Sequence, residues 1–378
     1  MLFILFYSAN LFYGLRSVFA VNPSYYDDFN INWTYKKIFG PNDIPLPASA
    51  NNLNGATVVA VYSPSVIKIN NQYFMFFGVS IYCYPERTTV ARDSIALAGS
   101  SDGINWQFIR YIIEPDPKSC QSPPSQWSEM SYQVNDPSVH INPNNSAEVL
   151  VFYTSVIWPQ DNYGHIGLAK FNLNLAQTFR NDRYLVGTTI LSNFGYSRPD
   201  VQWDSSNNGR LWFDSYGKVG SVPIDNFQQL NNPAVRNENI NAADINLPRL
   251  DDNKPMMLYD GAPSSWAISK DTLMGSWSTP WHITINTGQG WDSSYQGSPE
   301  LFLDRATCQV KLYFAGAVMG GQYGGYNSLS IGLAIPPPEK KFSFPICTNK
   351  TDIFDLRLFL SNYISIFDYN LIVGNFGK

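Results

Sequence analysis

Between Tyr62 and Leu301 a short turn motif recurs five times, and each copy runs into an apolar, aromatic-rich strand. The copies begin at Tyr62-Ser63-Pro64-Ser65-Val66, Asn135-Asp136-Pro137-Ser138-Val139, Ser197-Arg198-Pro199-Asp200-Val201, Asp244-Ile245-Asn246-Leu247-Pro248 and Gly297-Ser298-Pro299-Glu300-Leu301. The strands that follow are Tyr73–Phe77, Val149–Tyr153, Arg210–Phe213, Pro255–Tyr259 and Lys311–Phe314. A period of roughly 45 to 75 residues, built from several strands and no helix, marks radial repetition of small sheets. Five copies predict an all-β chain, a five-bladed β-propeller. In such a ring the innermost strand of every blade faces one axis, so the residues beside the prolines should converge there.

Composition agrees with this architecture and narrows the partner. Hydrophobic residues make up 44% and charged residues 15%, with 24 Phe, 23 Tyr and 10 Trp. That is too apolar for disorder and suits stacked sheets. The net charge of −5 comes without any basic stripe, which argues against nucleic acid. Abundant aromatics without basic charge fit sugar binding, because sugar rings lay their C–H faces on aromatic rings.

Residues 1–20 read as a signal peptide: the run Leu2-Phe3-Ile4-Leu5-Phe6 is apolar and the segment closes on Val18-Phe19-Ala20. Asn10, Gly14 and Arg16 interrupt it too often for a membrane anchor. The chain is therefore expected to be secreted. An even cysteine count (Cys83, Cys120, Cys308, Cys347) then allows disulfides, with first-to-second and third-to-fourth pairing as the natural arrangement. Sequons stand at Asn32, Asn144 and Asn349.

Residues 21–57 form a turn-rich lead-in that packs across the repeats or closes the ring. The repeats occupy 58–335. Within the first, Ser100-Ser101-Asp102-Gly103-Ile104-Asn105-Trp106 is a tight turn that resembles the Asp-box of sialidases, with a structural role. Pro336-Pro337-Pro338 opens a stiff linker, 336–347. The tail, 348–378, contains an internal echo, Ile353-Phe354-Asp355-Leu356 and Ile366-Phe367-Asp368-Tyr369, patterned as two short helices. It resembles a degenerate dockerin, and a weak protein partner is expected there. Phe344 and Ile346 stand where its first calcium-ligating oxygens belong, so structural calcium is not predicted. No cofactor is required, and a monomer is expected.

His140, His165 and His282 lack metal spacing, and no phosphate loop or Gly-x-Ser-x-Gly elbow occurs. What remains at the repeat starts is carboxylate: Asp136, Asp200, Asp244 and Glu300. Cleaving a glycosidic bond needs two of these, one protonated for the leaving oxygen and one ionised for water or carbon. A ring gathers carboxylates from different blades around one pocket, as that reaction requires.

Over residues 58–335 the chain resembles the five-bladed glycosidase superfamily, most of all glycoside hydrolase family 43. Asn135-Asp136-Pro137-Ser138-Val139 resembles the family's Asp-Pro-Ser motif, which carries the general base. Ser197-Arg198-Pro199-Asp200-Val201 is similar to its Ala-Pro-Asp motif. Ser269-Lys270-Asp271 through Gly275-Ser276-Trp277 is similar to its Ser-x-Asp-Leu-x-Gly-Pro-Trp blade ending. The resemblance implies an inverting hydrolase in which Asp136 activates water, Glu300 protonates the leaving oxygen and Asp244 orients the acid. Ser63, Arg198, Asp200 and Arg249 are candidate sugar contacts, and Trp203 and Trp291, with Trp127 and Trp158, are candidate stacking platforms. Two departures stand out. Ser63 replaces the base in the first repeat, so the motif order is displaced by one blade. Gly297-Ser298-Pro299 replaces the acid's Glu-Gly-Pro, leaving Glu300 about three residues away. A non-catalytic carbohydrate-binding or adhesive propeller accounts for the altered acid motif, and a scaffold docking through its tail is a third reading.

Overall fold

A computed structural model describes residues 31–342, except 51–54, 84–91, 117–129, 159–163, 187–195, 205–206, 216, 225–226, 228, 232, 249, 251–254, 261–264, 270–273, 279–280, 284–289, 293–294, 319–328, 339 and 341. At 130–132, 158, 265–269 and 281–283 only the backbone is described. The signal peptide, most of the linker and the dockerin-like tail lie outside these residues.

The described unit is all-β and is built from antiparallel meanders. Strand β1 (Thr34–Phe39) stands apart in sequence from the first meander, which comprises β2 (Thr57–Ile69), β3 (Gln72–Tyr82), β4 (Arg92–Ser100) and β5 (Gln107–Ile113). The second comprises β6 (Met130–Asn142), β7 (Asn145–Trp158), β8 (His165–Asn172) and β9 (Gln177–Val186). The third has β10 (Ser197–Trp203), β11 (Gly209–Ser215) and β12 (Lys218–Ile224); β13 (Leu230–Asn231) pairs back onto β9, and β14 (Arg236–Asn241) completes the third sheet. A small sheet follows, β15 (Met256–Tyr259), β16 (Ser265–Ser269) and β17 (Trp281–Ile283). The last holds β18 (Tyr295–Asp304), β19 (Gln309–Ala317) and β20 (Ser330–Ile335). Its fourth strand is β1, which pairs antiparallel with β20 from Thr34–Ile335 to Phe39–Ile331. The lead-in thus stitches the start of the unit to its end.

The five aromatic-rich segments of the sequence are β3, β7, β11, β15 and β19, the second strands of their sheets except for β15, which opens its sheet and is met on its other side by the Asn246–Leu258 bridge, and their composition follows from position. Each is sandwiched between its neighbours in the sheet and covered on both faces, so β11 is buried throughout and β19 along all but its first residue. Such strands read as continuous apolar runs rather than alternation. Adjacent sheets pack face to face through them. Phe77, Val79, Tyr313 and Leu333 join the last sheet to the first; Phe76, Leu97, Val151 and Phe171 join the first to the second. Phe152, Leu168, Leu211 and Phe213 join the second to the third, and Trp212, Val219, Met257 and Tyr259 the third to the fourth. Full burial of each such side chain contributes about 1.5–3 kcal/mol.

The Asp102 turn is structural, as its sequence implies. Asp102 accepts the N–H groups of Ile104 and Asn105, both at 2.8 Å, and Ser100 Oγ accepts that of Gly103 at 2.8 Å. Gly103, at φ 68°, presents its carbonyl to the Tyr313 hydroxyl (2.7 Å), and Trp106 packs edge-on to the same ring. The turn therefore fastens the first sheet to the last. One disulfide expectation fails: Cys308 is a free thiol in the β18–β19 turn, so it does not pair with Cys347. Cys120 and Cys347 themselves lie outside the described residues.

Candidate active site

The repeat motif is a β-bulge with a left-handed residue, five times over. Ser63, Asp136, Arg198, Asp244 and Ser298 all have φ between 45° and 48°. Register breaks between Tyr62 and Ser65, Asn135 and Ser138, Ser197 and Asp200, and Gly297 and Glu300. At each break two residues of the inner strand oppose one residue of its neighbour. That single residue is aromatic and buried: Phe77, Tyr153, Phe213 and Phe314. The fourth copy has the same form, since Asp260 N–H bonds Ala243 and Asn246 pairs with Leu258, leaving Asp244 and Ile245 opposite buried Tyr259. Here Ile245, and not Pro248, stands in the proline position, which corrects the sequence alignment of this copy. Holding non-glycine residues at positive φ costs on the order of 1–3 kcal/mol each, and such strain gathers where side-chain direction matters.

Two rings of side chains result. Ser65, Ser138, Asp200, Asn246 and Glu300 form the first, and they bind the inner strands to one another. Ser65 Oγ accepts the Val139 N–H (3.0 Å), Ser138 Oγ donates to Asp200 (2.6 Å), and Asp200 accepts the Leu247 N–H (2.5 Å). Asn246 accepts the Leu301 N–H (3.1 Å) and donates to Glu300 Oε2 (2.5 Å). Glu300 Oε1 then accepts the Val66 N–H at 3.1 Å, returning the circuit to the first inner strand. Glu300 thus has both oxygens committed, one to the backbone of another sheet. Burial, and next the Asp200 charge, push its carboxyl well above the ordinary range. His140 Nε2 adds contacts to Ser138 Oγ (2.6 Å) and Asp200 (3.0 Å).

The second ring, one step up the strands, comprises the left-handed residues themselves. Ser63 donates to Asp136 Oδ1 (2.8 Å) and reaches Ser298 Oγ at 3.4 Å. Ser298 Oγ donates to Asp244 Oδ2 (3.0 Å), Asp244 Oδ1 pairs with Arg198 Nε, and the Arg198 charge acts on Asp136. Asp136 Oδ2 also accepts from Thr154 at 3.1 Å. Burial, partly opposed by Arg198 and assisted by Asp244, raises the Asp136 carboxyl from 3.8 to about 6. The neighbouring Asn135 amide turns away from this carboxyl, donating to Tyr62 (3.3 Å) and Asp93 (3.1 Å).

Above this ring lie the residues that follow each buried aromatic: Gly78, Thr154, Asp214, Asp260 and Ala315. Thr154 Oγ1 accepts the Arg198 N–H (2.8 Å), and Asp260 Oδ1 accepts the Ser298 N–H (2.6 Å) in the equivalent way. Asp214 accepts from Arg198 Nη1 at 2.8 Å. Asp260 also receives the Tyr295 hydroxyl, which reaches Asp244 Oδ2 as well, at 3.5 Å. Burial first, and then the Asp244 charge, push Asp260 well above the usual carboxylate range. Three carboxyl groups (Asp136, Asp214, Asp244) thus surround Arg198, whose side chain keeps 38% of its surface accessible.

Asp136, Asp244, Ser63 and Arg198 therefore meet in one ring, whereas Asp200 and Glu300 belong to the interstrand circuit beneath it. Trp203 is 1% exposed, packed edge-on to His140 in the core, and is no stacking platform. Trp291 is half-buried, stacked on Phe314 and lying over Gly316 and Gly332, where a Cβ would come within 2.8 Å and 2.3 Å of its ring. Arg249, Trp127 and the Trp158 side chain lie outside the description. Sequence reasoning missed Asp214, Asp260, Thr154 and Tyr295. The signal for the first two is an Asp directly after the aromatic of the second strand, Phe213-Asp214 and Tyr259-Asp260.

No protein-family model matches the chain, and no curated protein matches it in sequence. Its fold is nonetheless shared with solved glycoside hydrolases. A Podospora anserina α-L-arabinofuranosidase in complex with cellotriose superposes with a TM-score of 0.55 at 15% identity, over 82% of this chain and 98% of that one. A thermostable family-43 glycoside hydrolase gives 0.50 at 10% identity, over 78% and 98%. A member of family 130, mannoside phosphorylases that include hydrolases of β-1,2 mannosidic linkages in Candida mannan, gives 0.52 at 10% identity, over 82% and 95%. The fold is that of the propeller glycosidases.

Proposed function

We propose that this chain is a secreted, monomeric, five-bladed propeller that hydrolyses glycosidic bonds of a polysaccharide or oligosaccharide by inversion. The observation that carries this reading is the ring of left-handed residues, which brings Asp136, Arg198 and Asp244 together from three separate sheets. Asp136, ionised, takes a proton from water whose oxygen bonds to the anomeric carbon. The bond from that carbon to the leaving oxygen breaks, and a second carboxyl group protonates that oxygen. Arg198 pairs with Asp244, and its charge favours the ionised form of Asp136. The superposed structures support sugar as the substrate class, since they act on arabinofuranosyl or mannosyl linkages.

The test is turnover of aryl arabinofuranosides, xylosides, galactosides and mannosides and of the matching oligosaccharides, with the product anomer read by NMR. Activity should rise through about pH 6 as Asp136 ionises, and Asp136→Asn should reduce it at least about 100-fold. Retention of configuration, or an Asp136→Asn enzyme of full activity, defeats the mechanism. The alternative, a non-catalytic carbohydrate-binding propeller, is favoured by one observation: Gly297 stands where the resemblance puts the acid. Sugar binding without turnover would decide for it.

A further inference from the structure

We propose that Asp260 is the proton donor of this site, its carboxyl and the Tyr295 hydroxyl together occupying the space that a side chain at Gly297 would fill. The proposal rests on the hydrolase reading. Its first support is steric. A Cβ built on Gly297 would lie 2.0 Å from the Tyr295 hydroxyl and 2.6 Å from Asp260 Oδ1. The space beside Gly297, where the resemblance puts the acid, is thus taken by the Tyr295 hydroxyl and a carboxyl from β15's end, and a residue with a Cβ would crowd both.

The second support is the division of partners between the two acids. Asp244 pairs with the Arg198 guanidinium and accepts from the Ser298 hydroxyl at 3.0 Å, with the Tyr295 hydroxyl farther off at 3.5 Å. Asp260 has only neutral partners, the Ser298 N–H and the Tyr295 hydroxyl, besides Asp244 itself. Burial, and next the Asp244 charge, push the Asp260 carboxyl upward, which favours its protonated form. The remaining charged or titratable groups around the pair are Asp136 on β6, Arg198 on β10, Asp214 on β11 and Tyr295 on β18. In the reaction Asp260 gives its proton to the leaving oxygen, Asp136 takes one from water, and the two carboxyls recover their states through solvent.

The test pairs carboxyl NMR with leaving-group kinetics. In wild-type protein labelled with 13C at Asp Cγ, one carboxyl should remain neutral at pH 7 and vanish in Asp260→Asn. Kinetically, Asp260→Asn should lose about 10²–10⁴-fold on an unactivated disaccharide. It should lose only a few-fold on the 2,4-dinitrophenyl glycoside, which departs without protonation, and its alkaline limb should disappear. Should Asp260→Asn fold poorly, Asp244→Asn assigns the same signal, because removing the neighbouring charge shifts it. An Asp260 carboxyl ionised at pH 7 overturns the proposal whatever the activity. Equal loss on both leaving groups, or none, overturns the donor role. A wild type that turns over nothing in the panel overturns the hydrolase reading and the donor role with it, while the carboxyl spectrum still reports the state of Asp260 separately.

Discussion

Replacing Asp136 with Asn should make this protein more stable at neutral pH while removing its activity. The folded state raises the Asp136 carboxyl from 3.8 to about 6. That is a little over a hundredfold in proton affinity, or about 3 kcal/mol at 1.36 kcal/mol per tenfold. The sign follows from which state binds more protons. Between 3.8 and about 6 the folded chain keeps a proton that the unfolded chain has released, so wild-type stability falls as pH climbs through that window. At about pH 7.5 the full ~3 kcal/mol penalty applies, and at about pH 4.5 only ~1 kcal/mol does. Asparagine is neutral throughout and tolerates φ 46°. It gives up one acceptor facing Ser63 or Thr154, a loss of about 1 kcal/mol. The net expectation is roughly 1–2 kcal/mol of stabilisation at about pH 7.5 and roughly none at about pH 4.5. Urea midpoints of both proteins at the two pH values, with unchanged m-values, measure this directly. A variant less stable than wild type at neutral pH, or a difference that does not move with pH, refutes the assignment of Asp136 as a buried, strained carboxylate.

Glu300→Gln should keep most of the activity and lose about 1 kcal/mol of stability, because glutamine can still accept the Val66 N–H but sets an N–H against the Asn246 amide donor. A hundredfold drop in turnover would instead return the acid role to Glu300. Trp203→Ala removes a core side chain and should cost about 3–5 kcal/mol in denaturant unfolding with no specific change in sugar affinity; a selective affinity loss in a fully stable variant would contradict its placement. Peptide mapping without reduction should alkylate Cys308 freely and recover Cys83 linked to Cys120, and a Cys308–Cys347 peptide would contradict the fold.

How much of this was legible in the chain can be argued residue by residue. The second strands were readable because burial on both faces forces a continuous apolar run, and Tyr73–Phe77 or Lys311–Phe314 carry that run whatever the loops do. The bulges were readable where proline marks them, as at Asp136-Pro137, and misaligned by three residues where Ile245 takes its place. The Asp102 turn was legible because its hydrogen bonds are local.

Function divided differently. Sequence alone determined that carboxylates cluster at the repeat starts, since strand periodicity and the repeat put Asp136, Asp200, Asp244 and Glu300 beside equivalent turns. It did not determine which of them share an environment. Residues two apart on one strand, such as Arg198 and Asp200, face the same axis but enter different rings, and one ring holds strands together while the other gathers charge. The bulge sets that step, and a bulge is a register event between strands. Nor could the chain announce Asp260, which lies 16 residues after Asp244 and 37 before Gly297. Only when the sheets close on one axis does its carboxyl come, with the Tyr295 hydroxyl, into the space that a side chain at Gly297 would need.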